Sequence, residues 1–166
     1  MTSDWQAYTP ATELAEAVRS RRLSPVEITE AALRRIDDSQ PVLNAFITVA
    51  HDEAMKQAYE AEKAVTRGDE LGPLHGVPFS VKDLVNTRGV RTTMGSLIFE
   101  NNVPENDAVP VARLRAAGAI MVGKTTTPEF GHKPFTRAPL FGDTPNAWDQ
   151  DRIAGGSSGG AAVAAA

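Results

Sequence analysis

Two short apolar runs with a helical pattern between them set the strongest limit on how this chain folds. Gly76-Val77-Pro78-Phe79-Ser80-Val81 reads as a strand, with Lys82-Asp83 where it ends. Ala119-Ile120-Met121-Val122 reads as a second strand. Between them, Asp107 is placed to cap a helix running through Val111, Leu114 and Ala117, with Gly118 as its stop. Strand, helix and strand at this spacing predict a parallel βαβ unit, and so an α/β fold.

The residues before this unit read differently. Residues 10–66 are largely helical in pattern. Ser24-Pro25-Val26-Glu27 combines an N-cap serine, a proline at the first helical position and a glutamate three residues after the cap. Ile28, Ala32 and Ile36 then share one face, and Asp37-Asp38-Ser39-Gln40-Pro41 is expected to end the helix. Ala45-Phe46-Ile47-Thr48-Val49 reads as a short strand. Ala54, Ala58, Ala61 and Val65 recur at helical spacing among charges, up to Gly68. From residue 123 to Asp151, proline, threonine and asparagine predict loop with brief helical turns.

Composition narrows the function classes. The 166 residues carry 17 basic and 21 acidic side chains, a net charge of −4, so the basic cluster of a nucleic-acid binder is missing. The sequence has no cysteine, which excludes thiol nucleophiles and cysteine–zinc sites and fits a reducing, cytoplasmic setting. Its first residues, Met1-Thr2-Ser3-Asp4-Trp5-Gln6, have neither a basic nor an apolar leader pattern, so no signal peptide is expected. The longest apolar run is the alanine-rich one from Ala161 to Ala166, too short to span a bilayer.

Several motifs bear on chemistry. Gly118-Ala119-Ile120-Met121-Val122-Gly123-Lys124-Thr125 matches the phosphate-binding pattern GxxxxGK[ST] letter for letter. A phosphate cradle needs open backbone N–H groups leading into a helix. Ala-Ile-Met-Val instead forms strand, so Gly118 is read as a helix stop and Gly123 as a strand end. Gly155-Gly156-Ser157-Ser158-Gly159-Gly160 frames two adjacent hydroxyls with four glycines and contains GxSxG, the nucleophile-elbow pattern. That machinery needs a later acid and histidine, yet His51, His75 and His132 all come earlier and read as structural. Lys82, directly after an apolar strand, is placed to be partly buried; the alternative is a surface lysine paired to Asp83. Burial favours the neutral amine, which can accept a proton from a serine hydroxyl. Serine–lysine chemistry replaces serine–histidine on several folds.

Gly76-Val77-Pro78-Phe79-Ser80-Val81-Lys82-Asp83, Arg91-Thr92-Thr93-Met94-Gly95-Ser96, Gly123-Lys124-Thr125, Pro139-Leu140-Phe141-Gly142 and Gly155-Gly156-Ser157-Ser158-Gly159-Gly160 together resemble the amidase signature family in order and spacing. The resemblance implies a three-layer α/β/α fold around a large mixed sheet. Residues 1–166 would form the N-terminal portion of a single amidase domain, with 1–70 mostly helical and 71–166 beginning the α/β core. It implies a serine–serine–lysine triad in which Lys82 is the general base and Ser157 the bridging serine, preceded by a cis peptide bond. Ser158, Gly155 and Gly156 would shape the substrate site, and Gly131 would line its pocket. The family's nucleophilic serine and oxyanion-hole amides are expected beyond Ala166, so the 166 residues alone are expected to be inactive.

The implied activity is hydrolysis of a linear carboxamide through an acyl-serine, with a small-molecule amide as partner and no metal or cofactor. No direct nucleic-acid or membrane partner is expected. An unfinished sheet would expose an edge and an apolar face, which predicts self-association, a homo-oligomer among its forms. Within the family, the alternative is the A subunit of the tRNA-dependent amidotransferase. That subunit tends to have Met-Asp-Glu-Phe-Ala where this chain has Thr127-Pro128-Glu129-Phe130-Gly131, and asparagine where it has Leu84. Outside the family, the alternatives are a non-catalytic binding module and a nucleotide binder that depends on Lys124.

Overall fold

The structure, a computed structural model, describes residues 8–166. The leader reading of Met1 to Gln6 lies outside the described residues. The chain forms two compact units whose segments alternate in sequence. One unit takes the segment ending at Arg35 with Ala50–Phe79 and Ala112–Val122; the other takes Ile36–Val49, Ser80–Val111 and Gly123–Ala166.

The first helices form where their apolar spacing predicts. Helix α1, Ala11–Arg19, buries Leu14, Ala15, Ala17 and Val18. Helix α2, Pro25–Leu43, begins at the capping sequence. Ser24 Oγ accepts from the backbone N–H of Val26 at 3.0 Å and of Glu27 at 3.4 Å, and Glu27 reaches back to the Ser24 N–H at 3.4 Å. The buried face of α2 comprises Ile28, Thr29, Leu33 and Ile36. Ala32, expected on that face, is only half-buried.

The expected stop before Pro41 is corrected. α2 runs on through Pro41 to Leu43. Proline removes its own N–H from the ladder and crowds the carbonyl four residues back, but here only two residues of helix follow it. The Asn44 N–H still reaches the Gln40 carbonyl at 2.9 Å, and the chain leaves the helix at Asn44, where φ is +43°.

Helix α3, His51–Arg67, buries Ala54, Ala58, Ala61 and Val65 and ends at Gly68 in the left-handed conformation. One core joins Leu14, Ala15, Val18, Ile28, Val65 and Val77, with Leu23, Leu71 and Leu74 packed against it. Each large aliphatic side chain buried there contributes about 1.5–3 kcal/mol.

A three-stranded sheet has the order β1-β3-β2, with β1 at Phe46–Val49, β2 at Pro78–Lys82 and β3 at Ile120–Thr125. β3 lies between its neighbours and is buried along its whole length. It pairs antiparallel with β1 through Phe46–Thr125, Thr48–Lys124 and Val49–Gly123. On its other side, Ile120 N–H bonds the Val77 carbonyl and Asp83 N–H bonds the Thr125 carbonyl. Both chains advance together between those two bonds, so β2 and β3 run parallel and the sheet is mixed. Helix α4, Val109–Ala116, lies between β2 and β3 in sequence, and Gly118 follows it with φ +85°.

β3 does not end at Gly123. Gly123-Lys124-Thr125 continue the strand, so the phosphate-pattern residues are ladder rather than cradle. The later loop carries an unforeseen small hairpin of β4, Arg137–Ala138, and β5, Gly142–Asp143. Helix α5, Gly159–Ala165, follows the glycine–serine segment. No helix among the described residues is long and apolar enough to cross a membrane.

Gly68 isolates a backbone effect, because a Cβ there would meet nothing within 4 Å at φ +76°. Gly68→Ala should lower stability by about 1 kcal/mol through the left-handed conformation alone. Urea denaturation should show a lower midpoint at unchanged slope, with Gly68→Asn losing less.

Candidate active site

Lys82 is the last residue of β2, and its side chain is half-buried. Its Nζ lies 2.7 Å from Ser157 Oγ and 2.9 Å from Ser158 Oγ. Burial pushes the Lys82 ammonium below its ordinary pKa, because a poorly solvated surrounding disfavours the charged form. The alternative of a surface ion pair with Asp83 is corrected. Asp83 is fully buried, and Thr93 and Lys124 engage its carboxylate instead.

The serine segment is held by hydrogen bonds from two threonines. The Gly156–Ser157 peptide bond is cis. Thr127 Oγ1 donates to the Ser157 carbonyl at 3.0 Å. Thr136 Oγ1 donates to the Gly155 carbonyl at 2.9 Å and accepts from the Gly159 N–H at 3.0 Å. Gly156 admits no side chain, since a Cβ would lie 2.7 Å from the Lys133 carbonyl oxygen and the Phe135 nitrogen. Ser158 occupies the N-cap position of α5 but makes no capping bond through its side chain. Its hydroxyl meets Lys82 instead.

Gly131, at φ +67°, backs onto the same place. A Cβ on it would lie 2.6 Å from Leu84 Cδ1 and 3.6 Å from Ser157 Oγ. The structure therefore gathers Lys82, Ser157, Ser158 and Gly131, with Gly155 and Gly156 forming the turn that presents the serines. Of the histidines, His51 opens α3 and the His75 ring lies 3.0 Å from the Ala61 carbonyl. His132 is exposed in the loop after Gly131. Among the described residues, no three His, Asp or Glu side chains are grouped so as to hold a metal ion.

Two rival motif readings fail on geometry. A nucleophile elbow needs a strand running into the turn, whereas Ile153 makes only an isolated bridge to Pro145. A phosphate-binding lysine needs free donors. An ammonium has three, and Lys124 Nζ spends them on the Val85 carbonyl at 2.6 Å, Thr87 Oγ1 at 3.0 Å and Thr92 Oγ1 at 2.8 Å. Lys124 is fully buried, 3.8 Å from Asp83 Oδ1. Burial lowers its pKa to about 8 against the opposing pull of Asp83, while burial pushes the Asp83 carboxyl up.

Sequence reading missed this buried pair and the threonines Thr127 and Thr136. The available signal was the polar run Lys124-Thr125-Thr126-Thr127 directly after an apolar strand. Polar residues continuing a buried strand need internal partners.

The profile of the amidase family, described as Amidase, matches residues 27–166. The A subunit of the glutamyl-tRNA(Gln) amidotransferase from Geotalea daltonii is 47% identical over 154 residues, 93% of this chain and 32% of that protein. An acylamidase from Rhodococcus erythropolis is 43% identical over 166 residues, all of this chain and 35% of that protein. The solved peptide amidase of Stenotrophomonas maltophilia superposes with a TM-score of 0.87 at 33% identity, over 95% of this chain and 34% of its own. The fold is that of the amidase signature class of proteins. The chain belongs to the amidase family, the amidase signature enzymes, and it spans about a third of the length of the curated relatives it matches.

Thr136 serves two backbone groups of the serine turn at once. Thr136→Val should cost about 1–3 kcal/mol, because both lose their partner. Chemical denaturation should show that loss, and Thr136→Ser should recover most of it.

Proposed function

We propose that this chain supplies the general base and the bridging serine of an amidohydrolase that cleaves a linear carboxamide through an acyl-serine. The observation that carries this reading is the 2.7 Å approach of Lys82 Nζ to Ser157 Oγ. With Lys82 neutral, the Ser157 hydroxyl donates its proton to the amine. Ser157 can then accept the proton of an attacking serine, expected outside residues 1–166. That serine adds to the amide carbonyl. The proton returns along the same path to the leaving ammonia or amine, and water then releases the carboxylate from the acyl-serine. Donors aimed at the tetrahedral oxyanion contribute several kcal/mol in such reactions, about 2.7–4 for a single amide donor. Gly131 lets the backbone pack close to Leu84 and Ser157 where a substrate would sit, since a Cβ there would lie 2.6 Å from Leu84 Cδ1 and 3.6 Å from Ser157 Oγ, and Gly155, Gly156 and Ser158 belong to the turn that faces it.

A second reading is the A subunit of the tRNA-dependent amidotransferase, favoured by the 47% identity to a relative of that name. Two positions support a stand-alone amidase instead. Leu84 and Gly131, like Thr127 and Pro128, are places where this chain departs from that subunit's usual residues. They are also mutually fitted, since any side chain at 131 would meet Leu84 Cδ1 at 2.6 Å.

Full-length protein offered simple amides should release ammonia or amine without partner subunits. Lys82→Ala should lower kcat/KM by about 100-fold or more, the usual worth of a positioned base. Neutral Lys82 is the active form, so kcat/KM should rise with pH to a plateau, with a midpoint below 10.5, the ordinary value from which burial displaces Lys82. Turnover by residues 1–166 alone, lost with Lys82→Ala, would place the nucleophile inside this chain. Glutamine-dependent turnover only with co-purified subunits would favour the second reading.

A further inference from the structure

Lys124 and Asp83 form a buried polar cluster that the proposed proton path does not use. Both are fully buried, and Asp83 Oδ1 has no hydrogen-bond partner among the described residues. Asp83 directly follows Lys82 and is fixed through its backbone and one carboxylate oxygen. Its N–H donates to the Thr125 carbonyl at 3.0 Å, and its carbonyl accepts from the Met94 N–H at 3.0 Å. Its Oδ2 accepts from the Thr93 N–H at 3.0 Å and from the Thr93 hydroxyl. Lys124 holds the residues just beyond, through the Val85 carbonyl and the Thr87 hydroxyl, and ties them to Thr92. Three residues along the chain from Lys124, Thr127 holds the Ser157 carbonyl.

We propose that Asp83 and Lys124 are positioning residues for Lys82, and that residues 124–127 set the separation between Lys82 and Ser157. The end of β3 and the residues after it grip both partners. Lys124 and Asp83 fix the turn that follows Lys82 at the end of β2, and Thr127 fixes the backbone of the serine that Lys82 meets. An apolar residue at 124 would leave the Val85 carbonyl with only the Thr87 hydroxyl, 3.2 Å away, and would take from the Thr87 and Thr92 hydroxyls the ammonium that bridges them. The turn would then lose the register that delivers the Lys82 amine. The inference rests on the proposed role of Lys82 as base.

The test uses full-length protein with Thr92→Val, Thr92→Ser and Lys124→Met, with kcat and KM measured per folded molecule. Thr92→Val removes one acceptor of Lys124 at constant shape, and Thr92→Ser restores the hydroxyl. The expected result is a fall in kcat of about 10- to 100-fold for Thr92→Val and Lys124→Met, the scale of a small misplacement of a catalytic group. KM should stay within about twofold, the mark of a contact that matters only in the transition state. Thr92→Ser should recover the parent kcat. The Lys82 side-chain NMR resonance should move in the two damaging variants and return in Thr92→Ser. If Lys124→Met fails to fold, the Thr92 pair carries the test. Folded variants with parental kcat and an unmoved Lys82 resonance would overturn the proposal. Should Lys82→Ala keep full turnover, the amidase reading fails on its own, and the Lys82 resonance then decides the positioning claim.

Discussion

The site depends on one half-buried amine held against a hydroxyl. Lys82 comes from the end of β2 and Ser157 from the turn before α5, 75 residues later. Their chemistry arises from the approach: burial lowers the pKa of the amine, and Ser157 lies within hydrogen-bonding reach. The surrounding structure reads as the means of keeping that distance. Thr127 and Thr136 fix the serine turn, and Thr125 and Met94 hold Asp83, the residue after the lysine.

Energetics separate the structural charges into two kinds. The pairs Lys63–Glu60, Arg67–Asp69 and Arg137–Asp143 are exposed and contribute little, since water and salt screen them. Asp83–Lys124 is different because both members have no solvent. Removing one member of such a pair costs about 3–5 kcal/mol, mostly for the charge left behind. Desolvation makes the pair a poor source of net stability compared with apolar packing. Its value here lies in direction, because three donors and a carboxylate specify one arrangement of the turn after β2.

Much of this was legible in the chain itself. Ser24 and Glu27 marked the start of α2, the spacing of Ala54 to Val65 marked α3, and Gly68 marked its end. Lys82 could be linked to the serine–glycine segment because that segment lacks a usable histidine and a lysine stands at a strand end, while the choice of Ser157 over Ser158 rests on the resemblance to the amidase signature family. Other features had no local signal. Pro41 reads as a stop, yet it stands two residues before the helix end at Leu43, where the Asn44 N–H still bonds the Gln40 carbonyl. Lys124 sits in a letter-perfect phosphate pattern, and its true partners Val85, Thr87 and Thr92 lie 39, 37 and 32 residues away. Such contacts depend on strand register, which a pattern of residue types does not encode.

The direct test of the central claim is a side-chain NMR titration of Lys82, assigned through Lys82→Arg, in the parent and in Ser157→Ala. The account predicts a midpoint below the ordinary 10.5 in the parent, and a displaced midpoint once the hydroxyl is gone. A midpoint at or above 10.5, unmoved by Ser157→Ala, would mean that the amine is solvated and makes no such contact, and would contradict the account.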